Sequence, residues 1–201
     1  MSKFSQQNIG FLNKQFDRMN IPEEQREDYM NNIYDFSQQV RHIESDNNPL
    51  AAAGTTSAKG VYQFTDDSVN TGLNRMGNLG YNQDYIGGIS QNPSEWDDEQ
   101  ADSMFLSNIF AQTGSDAYLN KIGGGDAQAR QDAYYKFHHT APDDATISRV
   151  NKMMPTIQDQ VVTEQGADAF TQPAQDTSQS SFGSNFGTGK GKLASFFKGF
   201  L

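Results

Sequence analysis

The chain has no cysteine among its 201 residues, so neither a disulfide framework nor a thiolate zinc site is open to it. Compartment stays open on that count, since exported proteins often lack cysteine too. No apolar run approaches the roughly 20 residues needed to cross a bilayer. The opening Met1-Ser2-Lys3-Phe4-Ser5-Gln6-Gln7 has no apolar stretch of the kind a secretory signal needs. If the protein acts outside its cell of origin, delivery by another route is expected. Basic residues are outnumbered, 15 against 25 acidic ones, for a net charge of −10. That balance argues against nucleic acid as a partner, because phosphate binding draws on clustered cations. Apolar residues are sparse as well, at 35%, so part of the chain is expected to lie outside any core. What is present is aromatic: 14 Phe and 8 Tyr supply the area for one core, in a chain of one domain plus tails.

The periodicity is helical nearly throughout. Ile9, Leu12, Phe16 and Met19 form a stripe, with Phe11 beside it, on an N-terminal helical arm over 1–21. Pro22-Glu23-Glu24 reads as a helix start, and Met30, Ile33, Tyr34, Val40 and Ile43 carry that helix forward to Glu44. Residues 46–60 form a loop, followed by a short β-prone step at Val61-Tyr62-Gln63-Phe64. Thr65 is placed to cap a helix bearing Val69, Leu73 and Met76. Residues 77–92 read as a long surface connection, and Ser94-Glu95-Trp96-Asp97 as a capping box opening a helix with Met104, Phe105, Ile109 and Phe110. A helix near 115–122 stops at Gly123-Gly124-Gly125. Asp126 caps the next, which ends at His138-His139. A last helix after Pro142 carries Ile147, Val150 and Met154. The expected fold class is mainly α: a helical domain over 22–155 with a minimal β element near 56–64.

A low-complexity linker is expected over 156–189, rich in Gln, Ser, Thr, Gly and Asp. The final segment, 190–201, places Leu193, Phe196, Phe197, Phe200 and Leu201 on one side of a short helix. A helix that short is unstable alone in water. It is expected to dock on a partner protein, with membrane contact through its Lys/Phe mix as the alternative.

Glu44 is the informative residue. A carboxylate at a helix C-terminus is disfavoured by the dipole, which invites a functional explanation. Nineteen residues later comes Gln63, at the end of a Gly-x-x-Gln step. Read blandly, Glu44 is a solvated helix end and Gly-x-x-Gln is a common string; the ordered combination carries the sharper reading. One acid aimed into a cleft, faced by a glutamine, suits glycosidic cleavage, where a carboxylic acid must protonate the leaving oxygen. Asp46, Asp66 and Asp67 leave a conventional second carboxylate open. The three histidines include no His-x-x-x-His pair, and adjacent His138 and His139 fall on different faces of a helix, which argues against zinc; a helix-end polar pair lining the cleft is expected instead.

Glu44-Ser45, Asn48-Pro49 and Gly60-Val61-Tyr62-Gln63-Phe64 together resemble the soluble lytic transglycosylase group of the lysozyme superfamily. Further on, Ala133-Tyr134-Tyr135-Lys136-Phe137-His138-His139 resembles the third motif of that group, in the histidine-containing form of phage-borne members; Tyr135 stands where the family usually has asparagine. The resemblance implies a lysozyme-like domain that cleaves peptidoglycan between N-acetylmuramic acid and N-acetylglucosamine. Glu44 would serve as acid and then as base on the muramic 6-hydroxyl, with no cofactor and no metal. Ser45, Tyr62, Gln63, Tyr134 and His138 would contact substrate, with Tyr134 orienting the glutamate. The phage-type members imply a virion protein that opens the host wall during genome entry, with other virion proteins as partners of the tail. The competing expectation is a structural ejection protein that uses an inactive lysozyme-like domain as scaffold.

Overall fold

Helix-spaced apolar residues have to close on a common core, and eight α-helices among the described residues do so. The structure is a computed structural model, which describes residues 3–54, 56–139 and 142–156. The linker beyond 156 and the candidate docking residues Leu193, Phe196, Phe197, Phe200 and Leu201 lie outside the described residues.

Helix α1 (Gln6–Arg18) begins where the Ser5 hydroxyl accepts the Asn8 N–H, and it buries Phe11, Leu12 and Phe16. The Phe11 ring stacks on Tyr81 at 4.7 Å and meets Phe110 edge-on at 5.3 Å. Of the arm expected over 1–21, the described residues pack into the main core through Phe4, Phe11, Leu12, Phe16 and Ile21. A 3-10 turn at Glu23–Gln25 leads into α2 (Arg26–Ser45), whose Ile33, Phe36, Val40 and Ile43 are fully buried. Asp46 and Asn47 take left-handed backbone, and the Asn47 N–H returns to the Arg41 carbonyl, which stops α2 at Ser45, one residue past Glu44.

The β-prone step is a turn, not a strand. Lys59 and Phe64 exchange two backbone hydrogen bonds of 3.0 Å, Gln63 N–H closes on the Gly60 carbonyl at 3.1 Å, and Gln63 itself has φ of 51°. Isolated bridges pair Lys59 with both Ala52 and Phe64. Val61, Tyr62 and Phe64 are all buried, so the alternation a half-exposed strand requires is absent.

Helix α3 (Asp66–Asn78) is capped by Thr65, as expected from its sequence. The connection at 77–92 holds a short helix, α4 (Gln83–Gly87), capped by Asn82, with Tyr81 and Ile89 buried on either side. Helix α5 (Asp98–Phe110) is the central element, buried on every side from Ala101 to Phe110. Its cap is Asp97, whose carboxylate accepts the Gln100 N–H at 2.8 Å. The expected capping box at Ser94 does not form, because Asp97, the acid of that box, is itself the cap and Ser94 lies in a 3-10 turn at Pro93–Glu95. Helices α6 (Ser115–Gly123) and α7 (Ala127–Ala133) follow, then a π-turn at Tyr134–His138 and α8 (Asp144–Met153). On α8, Val150 is buried as expected, whereas Ile147 is 37% exposed. Among the described residues no helix is long and apolar enough to cross a membrane.

Gly60 is the residue of the turn that no side chain can replace. Its φ is +75°, and a Cβ there would meet the Pro93 carbonyl oxygen at 2.7 Å. Both the left-handed backbone and a rigid neighbour oppose substitution. Gly60→Ala is expected to lower stability by about 2 kcal/mol in urea unfolding. An unchanged midpoint would contradict this account of the turn.

Candidate active site

Helix α2 ends against a cleft of about 550 Å³, and Glu44 lies in its wall with a side chain only 11% exposed. The Tyr134 hydroxyl donates to Glu44 Oε1 at 2.6 Å, and His138 Nε2 stands 3.5 Å from the same oxygen. Glu44 Oε2 receives no hydrogen bond from the described residues. Burial, reinforced by the charge of Glu44, pushes the Tyr134 hydroxyl far above its ordinary pKa, so it remains a donor.

The π-turn explains how one segment serves the glutamate twice. The His139 N–H bonds to the Tyr134 carbonyl at 2.9 Å, five residues back, which widens the turn. Gln112 on the loop after α5 donates its side-chain amide to the Phe137 carbonyl at 3.0 Å and holds the widened turn in place. His138 and His139 both line the cleft, as expected of a polar pair at a helix end, although neighbours on a regular helix would face apart. Four rings, Tyr62, Phe64, Phe105 and Tyr134, surround His138 with centroids 5.7 to 6.5 Å away. Burial lowers the His138 pKa and prevails over the opposing pull of Glu44, so the neutral imidazole is favoured.

The remaining expected residues divide. Gln63 lines the cleft, but its side-chain NH₂ is already committed to the carbonyls of Gly60 at 2.8 Å and Ala51 at 3.2 Å. Only its amide oxygen is left for a ligand. Ser45 and Tyr62, expected to contact substrate, do not line the cleft. Ser45 Oγ sits within 2.9 Å of the Val61 carbonyl and 3.1 Å of the Arg41 carbonyl, and it accepts the Asn48 N–H. It ties the end of α2 to the turn. Tyr62 is 1% exposed, stacks on Phe105 at 4.5 Å and donates its hydroxyl to Asp102 at 2.6 Å.

A buried polar network beneath the cleft was not legible in the sequence. Asp102 on α5 takes the Tyr62 hydroxyl and lies 3.9 Å from Arg41 of α2, which also hydrogen-bonds Asp98. Arg41 and Asp102 side chains are 5% and 7% exposed. Burial pushes the Asp102 carboxyl up to about 6, against the lowering effects of the Tyr62 bond and Arg41. Arg41 is shared with Asp98 and does not offset the full desolvation of Asp102. Also unanticipated in the cleft are Ser68 and Arg75 from α3 and Asn108 from α5. Their sequence context is ordinary helix surface, with no motif to mark them.

Neither family models, nor curated proteins, nor solved structures yield a match to this chain. The chemistry therefore has to be argued from the cleft itself. Glu44 is its one carboxylate among the described residues. Asp46, Asp66 and Asp67, open as second carboxylates in the sequence, are exposed and outside it.

Asp102 generates a pH prediction. Its folded pKa lies above the ordinary 3.8, so the stability it contributes is full below about pH 4 and is lost as pH rises through about 6. The ionised form costs about 3 kcal/mol at neutral pH, at roughly 1.4 kcal/mol per pKa unit. His138, with its lowered pKa, acts with the opposite sign, losing stability as pH falls below its ordinary value of 6.5. Subtracting the unfolding profile of Asp102→Asn from that of the parent removes the histidine contribution. The difference is expected to change by about 3 kcal/mol between pH 4 and pH 7. A flat difference would refute the raised Asp102 pKa.

Proposed function

We propose that the protein is a peptidoglycan lytic transglycosylase with a lysozyme-like helical domain, and that Glu44 carries the reaction. The observation behind this reading is the cleft's solitary carboxylate among the described residues, held by the Tyr134 hydroxyl at 2.6 Å and given no second donor by them at Oε2. Conventional glycosidases use two carboxyls placed to face each other across the scissile bond. With one, an internal nucleophile supplied by the substrate takes the place of the second carboxyl in this proposal.

The proposed steps balance on Glu44 alone. Its protonated carboxyl gives a proton to the glycosidic oxygen as the bond to the muramic C1 breaks, and an oxocarbenium ion forms. The resulting carboxylate then takes the proton of the muramic 6-hydroxyl while O6 bonds to C1. The product is a 1,6-anhydro sugar, and no water is consumed. Tyr134 orients Oε1 throughout, and its own proton stays in place because burial keeps the phenol un-ionised. The neutral imidazole of His138 shields the same oxygen from solvent within its cage of rings. Gln63 supplies an amide oxygen to accept a hydrogen bond from a hydroxyl or N-acetyl N–H.

The setting we propose is a bacteriophage virion, from which the enzyme opens the host wall during genome entry, with its tail docked on other virion proteins. That part rests on the histidine-containing third motif and on the composition of the tail.

Mass analysis of peptidoglycan digests tests the reading. The parent protein is expected to release muropeptides one water lighter than hydrolytic products, and Glu44→Gln to release none. Products of hydrolytic mass would make the protein a muramidase, and no product from the parent would leave the domain a scaffold. Tyr134→Phe is expected to lower turnover about a hundredfold with little change in KM, the loss of an orienting donor for an acid–base group.

A further inference from the structure

Arg75 is the cation of the cleft that Glu44 chemistry does not use. It lies half-buried on α3 and lines the same cleft as Glu44. It makes no ion pair with any described carboxylate, whereas Arg18, Arg26 and Arg41 each do. The one hydrogen bond its side chain makes among the described residues runs from Nη1 to Asn108 Oδ1 at 2.6 Å.

Asn108 is 7% exposed, and its Nδ2 has no hydrogen-bond partner among the described residues. A buried amide left half satisfied demands a reason. Helix packing provides the setting. Gly72 on α3 lacks a side chain where a Cβ would lie 2.1 Å from Met104 Sδ on α5, so the two helices approach closely. Arg75 and Asn108, each about one turn further along, are brought together by that approach. The bond then fixes one arm of the guanidinium and leaves its other donors unclaimed by the described residues.

We infer that Arg75, oriented by Asn108, is a carboxylate-binding subsite of the cleft. A guanidinium presents paired N–H donors that match a carboxylate, and a single positive charge suits a single negative one. The chain as a whole carries −10, which repels acidic ligands at a distance, so an acidic ligand needs a local cation to be accepted. Ser68, seven residues before Arg75 on the same helix, lines the cleft as well and adds a neutral hydroxyl. Resting on the glycan reading above, the ligand is a strand bearing acidic peptide branches in preference to a neutral polysaccharide.

Calorimetric titration of the full chain carrying Glu44→Gln separates binding from turnover. A peptide-bearing tetrasaccharide of peptidoglycan is expected to bind about tenfold tighter than chitotetraose, the gain from one charge-assisted contact. Adding Arg75→Gln should abolish the difference and leave chitotetraose binding as it was. Arg75→Lys, which keeps the charge without the fork, should retain part of it, and thermal melts of each variant report that the fold survives. Equal affinity for the two saccharides, or a preference that persists in Arg75→Gln, overturns the subsite. If neither saccharide binds, the glycan reading falls, and the free acidic stem peptide then decides the subsite alone. A peptide-dependent shift of the Arg75 Nε–H resonance upholds it, and an unmoved resonance overturns it.

Discussion

The hydrogen bond from Tyr62 to the buried carboxylate of Asp102 links the turn over the cleft to the central helix, and the candidate site depends on that link. Tyr62 lies two residues after Gly60 and one before Gln63, so its anchoring fixes both the left-handed turn and the glutamine. Arg41, three residues before Glu44, joins the same network from α2. One cluster thus registers three segments: the helix that delivers the glutamate, the turn that faces it, and α5 between them. The cost is a carboxyl held in poor solvation, visible as a pKa of about 6. A buried charge of this kind is a weak contributor to stability. Its value here is positional, because an apolar contact in its place would allow the turn to slide.

A second constraint comes from the other side of the cleft. A regular helix at 134–138 would direct His138 and His139 apart. The π-turn widens the segment so that Tyr134, His138 and His139 all face the cleft or its glutamate. Such turns give up ideal helical hydrogen bonding and are stable only where neighbours compensate. Gln112 and the aromatic cage around His138 supply that compensation. The result is a carboxylate bordered by a phenol that stays protonated and an imidazole that favours its neutral form.

These two supports leave the cleft polar at its walls and sparing in charge. Glu44 and Arg75 are both in it without pairing to each other, which a free glutamate and arginine in water would be inclined to do. Each is held instead by a neutral partner, Tyr134 for one and Asn108 for the other. Neutral partners orient a charged group and leave its charge unneutralised, which suits groups reserved for a ligand.

Local signals in the sequence determined the helical class, the delivery of Glu44 by the stripe of α2, and the caps at Thr65 and Asp126, because these depend on spacing and nearest neighbours. The pairing of Tyr134 with Glu44 was legible only through the motif resemblance. Tertiary structure decided the rest. Ser45 and Tyr62 read as ligand contacts, but in the fold Ser45 bonds the Val61 carbonyl and Tyr62 the Asp102 carboxylate. Ile147 fits its helical stripe, yet it stays 37% exposed. Asp97 took the cap expected of Ser94, since Ser94 lies in the 3-10 turn that precedes the helix. Asp102, Arg75 and Asn108 look like ordinary polar positions along the chain. Only the approach of α3 to α5, and of both to α2, places them in contact, and contacts between residues far apart in sequence leave no mark in local periodicity.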